Sequence, residues 1–139
     1  MTRLEERGSI TIWMATTSVA MTLMVGLAVD LGGQVHAQQR AHDLAAQAAR
    51  AGGERVQAAP AIEGDYVRID ALEARNAATE YLSAAHVSGT VTVTDGTTLT
   101  VHVTDSYNPR FLGVLGINHL PVSGNASARL VRSLGGNER

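Results

Sequence analysis

Hydrophobic and polar positions are unevenly spread along the chain. Residues 9–29 form a run of 21 positions without a charged side chain, closed by Asp30. At about 1.5 Å per helical residue the run reaches roughly 30 Å, the thickness of a bilayer's hydrocarbon core. Thr11, Thr16, Thr17, Ser18 and Thr22 interrupt it, but helical hydroxyls can bond to carbonyls one turn earlier, so one membrane-spanning helix is expected. From residue 31 to 59 the composition stays helix-friendly and free of proline, with a stripe of Leu31, Val35, Ala45, Ala48, Ala49, Gly52 and Val56. The simplest expectation is one continuous helix that crosses the membrane and projects beyond it. Gly32 and Gly33 are candidates for a kink just outside the bilayer.

After a linker at residues 60–66, a second helical period runs through Ala71, Ala74, Ala78, Tyr81, Leu82 and Ala85. Asp70 and Glu73 resemble a capping box at its start, and Gly89 is expected to stop it. The pattern then changes to alternation. Val91 and Val93 alternate with threonines, as do Leu99, Val101 and Val103. A two-residue turn at Asp95 and Gly96 would put the two apolar rows on opposite faces. A three-residue loop of Thr94, Asp95 and Gly96, with Gly96 left-handed, puts them on one face with Val91 opposite Leu99. Val122, Ala126, Ala128 and Leu130 suggest a last strand within residues 120–131. Residues 111–117 are a short apolar run, read as a cap on the outer domain's core, with a partner- or membrane-contact loop as the alternative. The tail at residues 135–139 is expected to be flexible.

Helices first and clustered strands afterwards predict an α+β fold. The expected layout is a cytoplasmic N-terminus (1–8), a transmembrane helix (9–29), its continuation outside (30–59), a small outer domain with a second helix and an antiparallel sheet (60–134), and the tail. Orientation follows from basic residues: Arg3 and Arg7 precede the span and the next, Arg40, comes well after it, which keeps the N-terminus inside. A secretory signal would have a shorter apolar stretch and a small-residue cleavage site, whereas Asp30, Leu31, Gly32 and Gly33 follow here. An uncleaved anchor is expected.

Composition narrows the chemistry. The 110 residues from Asp30 onward suffice for one small core. A formal net charge of −2 offers no basic field for nucleic acid. No cysteine is present, so no disulfide staples the outer part. His36 and His42 lie six apart on a helix and point away from each other; His86, His102 and His119 fall at a helix end, on an outward strand face and in a loop. No metal-binding, phosphate-binding or nucleophile motif is present, so no metal, cofactor, small-molecule substrate or enzymatic activity is expected. The enzymatic alternative is an anchored hydrolase using His102, Asp105 and Ser106.

Two features of the span stand out. Thr11, Ala15, Ser18, Thr22 and Gly26 make a small-residue stripe on which another helix could pack closely, or reflect composition alone. Asp30 is read as the membrane boundary, wetted by headgroups rather than acting as an intramembrane acid.

Together these segments resemble the TadE/TadG-like proteins of tight-adherence (Flp) pilus assembly. The residues that carry the likeness are Arg7, Gly8 and Ser9 before the span, Val29 to Gly32 at its outer end, and Ala45 to Gly52 on the projecting helix. The Thr/Val hairpin, the Phe-Leu-Gly loop and the final Val-x-Ala strand resemble the family too. The resemblance implies a non-enzymatic, pilin-like protein of the bacterial cell envelope, either an assembly factor or a minor pilus subunit. Its expected partners are other pilus or secretion-system membrane proteins, the lipid bilayer and other copies of itself. An accessory subunit of another envelope secretion complex is the alternative. Members processed like pilins are cut after a glycine, here between Gly8 and Ser9, and carry an acid at the fifth mature position. That position is Trp13 here, which favours the uncleaved, anchored form.

Overall fold

The structure, a computed structural model, describes residues 5–58, 66–130, 133–134 and 137–138, with side chains described at 9–56 and 71–130. Arg3, Gly64 and most of the 60–66 linker lie outside the described residues.

Helix α1 (Glu5–Ala58) runs unbroken through Gly32 and Gly33. Helix α2 (Tyr66–Ala84) is followed by strands β1 (Ser88–Thr94), β2 (Thr98–Tyr107) and β3 (Leu120–Arg129), with a short 3-10 turn at Leu112–Leu115 between the last two. The sheet order is β1-β2-β3. Near the C-terminus Ser133–Leu134 (β4) pairs with Asn137–Glu138 (β5). The result is the α+β arrangement expected: a long apolar helix, a second helix and a small antiparallel sheet. Two compact units divide it. The described parts of Met1–Val35 with Tyr107–Leu120 form the first, and those of His36–Ser106 with Pro121–Arg139 form the second.

In the first unit, α1 is long and apolar enough to cross a membrane by length and composition. Its large side chains, among them Ile10, Trp13, Met21 and Met24, are exposed rather than packed in a core. The hydroxyls behave as the hydropathy reading requires: Thr16, Thr17 and Thr22 each donate to the carbonyl four residues earlier, at 2.8–2.9 Å.

The second unit holds the core. Ala41, Ala45, Ala48, Ala49 and Val56 of α1 pack with Ala74, Ala78 and Leu82 of α2 and with Val91, Leu99, Val101 and Val103 of the sheet. Leu31 and Val35, placed on this stripe from spacing, are exposed, and Ala41 takes the position that starts it. Small side chains let β3 come onto the helix backbone: a Cβ at Gly124 would collide with the main chain of Ala41 and His42.

Two local expectations are corrected. Helix α2 begins four residues before Asp70, so the Asp70–Glu73 pair lies inside the helix and does not cap it. The helix also ends before Gly89. His86, at φ 55°, takes the left-handed position, with its N–H on the Ser83 carbonyl (3.1 Å) and that of Val87 on Leu82 (3.1 Å).

The hairpin keeps the predicted parity but shifts by two residues. Val93 pairs with Leu99 and Val91 with Val101, so the apolar rows share a face. Asp95 and Gly96 both have positive φ (53° and 67°), and the Thr97 N–H closes the turn on the Thr94 carbonyl at 3.2 Å. Thr97 is therefore the extra residue, and its carbonyl accepts the Leu130 N–H at 2.7 Å.

Candidate functional site: an acid-held loop on the apolar helix

The charge that closes the apolar run organises the first unit. Asp30 is 0 % exposed, so the expectation of a carboxylate wetted by headgroups does not hold. Its oxygens accept three consecutive main-chain N–H groups instead. Arg110 donates to Oδ1 at 2.7 Å, and Phe111 and Leu112 donate to Oδ2 at 2.8 and 2.6 Å. The Tyr107 hydroxyl hydrogen-bonds to the same side chain.

The arrangement follows from how short helices start. The first N–H groups of a helical turn have no partner within the turn and need an outside acceptor. The turn Leu112–Leu115 has no side-chain cap of its own at Phe111. Asp30 serves as its cap from another element, and an ionised carboxylate, with acceptor sites only, is the matching group. Further along, Val114 N–H bonds to Phe111, Gly116 to Gly113 and Ile117 to Leu112, each at 3.1 Å, with Gly116 left-handed at φ 88°.

Packing fixes the loop against α1 as well. A Cβ at Gly26 would stand 2.8 Å from the Phe111 ring, and one at Gly33 would overlap the Tyr107 side chain. Both glycines are therefore landing places for aromatic rings, which is the structural use of Gly33 rather than a break in the helix. The apolar segment 111–117 accordingly belongs to the unit of the apolar helix and takes no part in the buried cluster of the sheet. That corrects its reading as a cap on the outer core.

The small-residue stripe divides into two parts. Thr11, Ala15, Ser18 and Thr22 are exposed, whereas Gly26 is buried beneath Phe111. Gly8 and Ser9 lie within the first turns of α1. In the hydrolase alternative, His102 and Asp105 bond to different partners. His102 Nδ1 is 3.0 Å from Asn125 Oδ1, and Asp105 Oδ1 accepts the Ser106 main-chain N–H at 2.7 Å. Among the described residues no three His, Asp or Glu side chains come together as metal ligands would.

Spacing along the sequence pointed to Asp30 but not to its partners, Tyr107 and the N–H groups of residues 110–112. The usable signal was a pairing of needs: an acid at the edge of an apolar helix, and a Gly-containing apolar turn without a capping residue.

Residues 8–59 match the family model described as putative Flp pilus-assembly TadE/G-like. The matched segment covers the apolar run, Asp30 and the Ala-rich stripe, and so takes in Gly8 and Ser9, Val29 to Gly32 and Ala45 to Gly52; Arg7, the hairpin, the Phe-Leu-Gly loop and the final strand lie outside it. No curated protein and no solved structure matches the chain.

Proposed function

We propose that the chain is a membrane-anchored, non-enzymatic component of a Tad/Flp-type surface pilus, an assembly factor or minor pilin-like subunit. The observation that carries this reading is the TadE/G-like match over residues 8–59. It coincides with a helix whose large apolar side chains, from Ile10 to Val29, are exposed. In this reading residues 9–29 cross the bacterial cell membrane once, with residues 1–8 in the cytoplasm and the α+β unit outside. Partners are other pilus or secretion-system membrane proteins and, through the same surfaces, further copies of the chain. They meet it along the exposed part of the stripe and at the edge strands of the sheet, β1 and β3.

The test is loss of surface pili on deleting the gene, with recovery on returning the intact chain but not a version lacking residues 1–30. Unchanged piliation after deletion would overturn the reading. Mass spectrometry of the mature protein separates its two forms: a start at Ser9 makes it a processed pilin-like subunit, a start at Met1 or Thr2 an anchored assembly factor.

A further inference from the structure

The loop held by Asp30 presents its apolar side chains outward. Val114 is 86 % exposed and Leu115 67 %, with Phe111 and Ile117 also open. Side chains so placed cost free energy in water, in proportion to their apolar area. Their position along α1 says what covers them. Phe111 lies on Gly26, and Val114 and Leu115 face Thr22, Leu23 and Leu27 across a cleft of about 300 Å³. Gly26 and Thr22 precede Asp30 by four and eight residues, so the loop reaches roughly 6 to 12 Å down the helix from its charged end. That is inside the segment read as the span.

Irregular backbone tolerates hydrocarbon only when its polar groups are bonded within the protein. Here the N–H groups of residues 110, 111 and 112 go to Asp30, and those of 114, 116 and 117 go to carbonyls of the loop itself. Charge is confined to the base: Arg110 stands at one end of the apolar stretch, Asn118 and His119 at the other, with His119 Nδ1 3.4 Å from Asn108 Oδ1. An apolar tip on a polar base suits a membrane interface, where cationic and polar groups stay at headgroup level. The cleft has the same character. Its Thr22 hydroxyl is turned to the Ser18 carbonyl at 2.9 Å, leaving no polar group to orient a polar ligand.

We propose that residues 111–117 insert into the bilayer leaflet on the Asp30 side, beside the span, and that a lipid acyl chain fills the cleft between them and α1. The proposal rests on residues 9–29 being the membrane span. It gives the chain a second membrane contact and gives Asp30 a purpose: to satisfy backbone that lipid cannot.

The absence of cysteine allows single-site labelling of the full chain. Val114→Cys, Met24→Cys and Thr92→Cys variants would each carry a small fluorophore in phosphatidylcholine–phosphatidylglycerol vesicles. Lipids with a nitroxide on the acyl chain, and aqueous iodide, serve as quenchers. The expected result is loss of fluorescence to nitroxide lipid at Val114 as large as at Met24, with quenching by iodide only at Thr92. Iodide quenching at Val114 with lipid quenching at Met24 would overturn the inserted loop and leave the anchor standing. Protection of Val114 from both quenchers would assign the loop to a protein contact and also overturn the proposal. Iodide quenching at Met24 as well would remove the anchor itself. Leu115→Cys repeats the measurement should the Val114 variant fail to fold.

Discussion

Replacing Asp30 with alanine removes the acceptor of three main-chain N–H groups in one step. Each hydrogen bond to a charged group contributes about 1.5–3 kcal/mol, and buried donors left unpaired add their desolvation cost. Asp30→Ala should therefore release the 107–120 loop. Hydrogen exchange read by mass spectrometry should accelerate at residues 110–112 by two orders of magnitude or more, taking about 3 kcal/mol as the loss. Exchange in α2 should stay as it was. Unchanged protection at 110–112 would mean that the loop is held by packing alone. Gly26 supplies the complementary case. Its missing side chain makes room for Phe111, so Gly26→Leu should undock the loop. Ala15→Leu, on the exposed part of the stripe, should instead weaken crosslinking to partner proteins in membranes while leaving the loop in place. Loss of crosslinking from Gly26→Leu alone, with Ala15→Leu inert, would restrict partner contacts to the upper end. Spacing placed Gly26 in a stripe and Asp30 at a boundary, yet the reason for each lies about 80 positions away along the chain. Periodicity reports which residues share a helix face and cannot report what a distant loop brings to that face.

At the scale of elements, the periodic signals located both helices and all three strands of the main sheet, and the errors cluster at ends and turns. Helix α2 starts at Tyr66, four residues before the Asp70 that suggested a cap. It ends at Ala84, and the two bonds of the terminal turn hold His86 just beyond it in the left-handed conformation. In the hairpin, parity was legible because one face is buried, and a slip of one residue would turn every valine outward. A slip of two keeps the faces, so nothing in the alternation decides it. The turn decides it, through two consecutive positive φ values and through Leu130 bonding to Thr97. Gly96→Val should lower stability by about 1–2 kcal/mol, the cost of a Cβ in left-handed conformation. Thr97→Val, which keeps the carbonyl that Leu130 uses, should fall within about 0.5 kcal/mol of the parent. Thermal melting of the detergent-solubilised protein measures the pair, and equal midpoints would contradict the turn assigned here.

For the whole molecule, the apolar run and its resemblance to TadE/TadG-like proteins carried most of what could be read in advance. The family match over residues 8–59 supports that reading, while the fold adds the Asp30-held loop. The division into two units also separates the tasks of α1. One stretch of it is apolar on its outside, and another, from Ala41 to Val56, is a surface of small residues that seats a sheet. Anchoring with the α+β unit outside the cell is the claim on which the pilus reading depends, because pilus partners on the outer face are accessible only from that side. Cysteines introduced singly at Gly64 and at Thr2, probed with a membrane-impermeant maleimide on intact cells, test it most directly. With Arg3 and Arg7 holding the N-terminus inside, Gly64→Cys should label fully and Thr2→Cys only after the membrane is permeabilised. Equal protection of the two sites, or labelling of Thr2→Cys alone, would contradict the account.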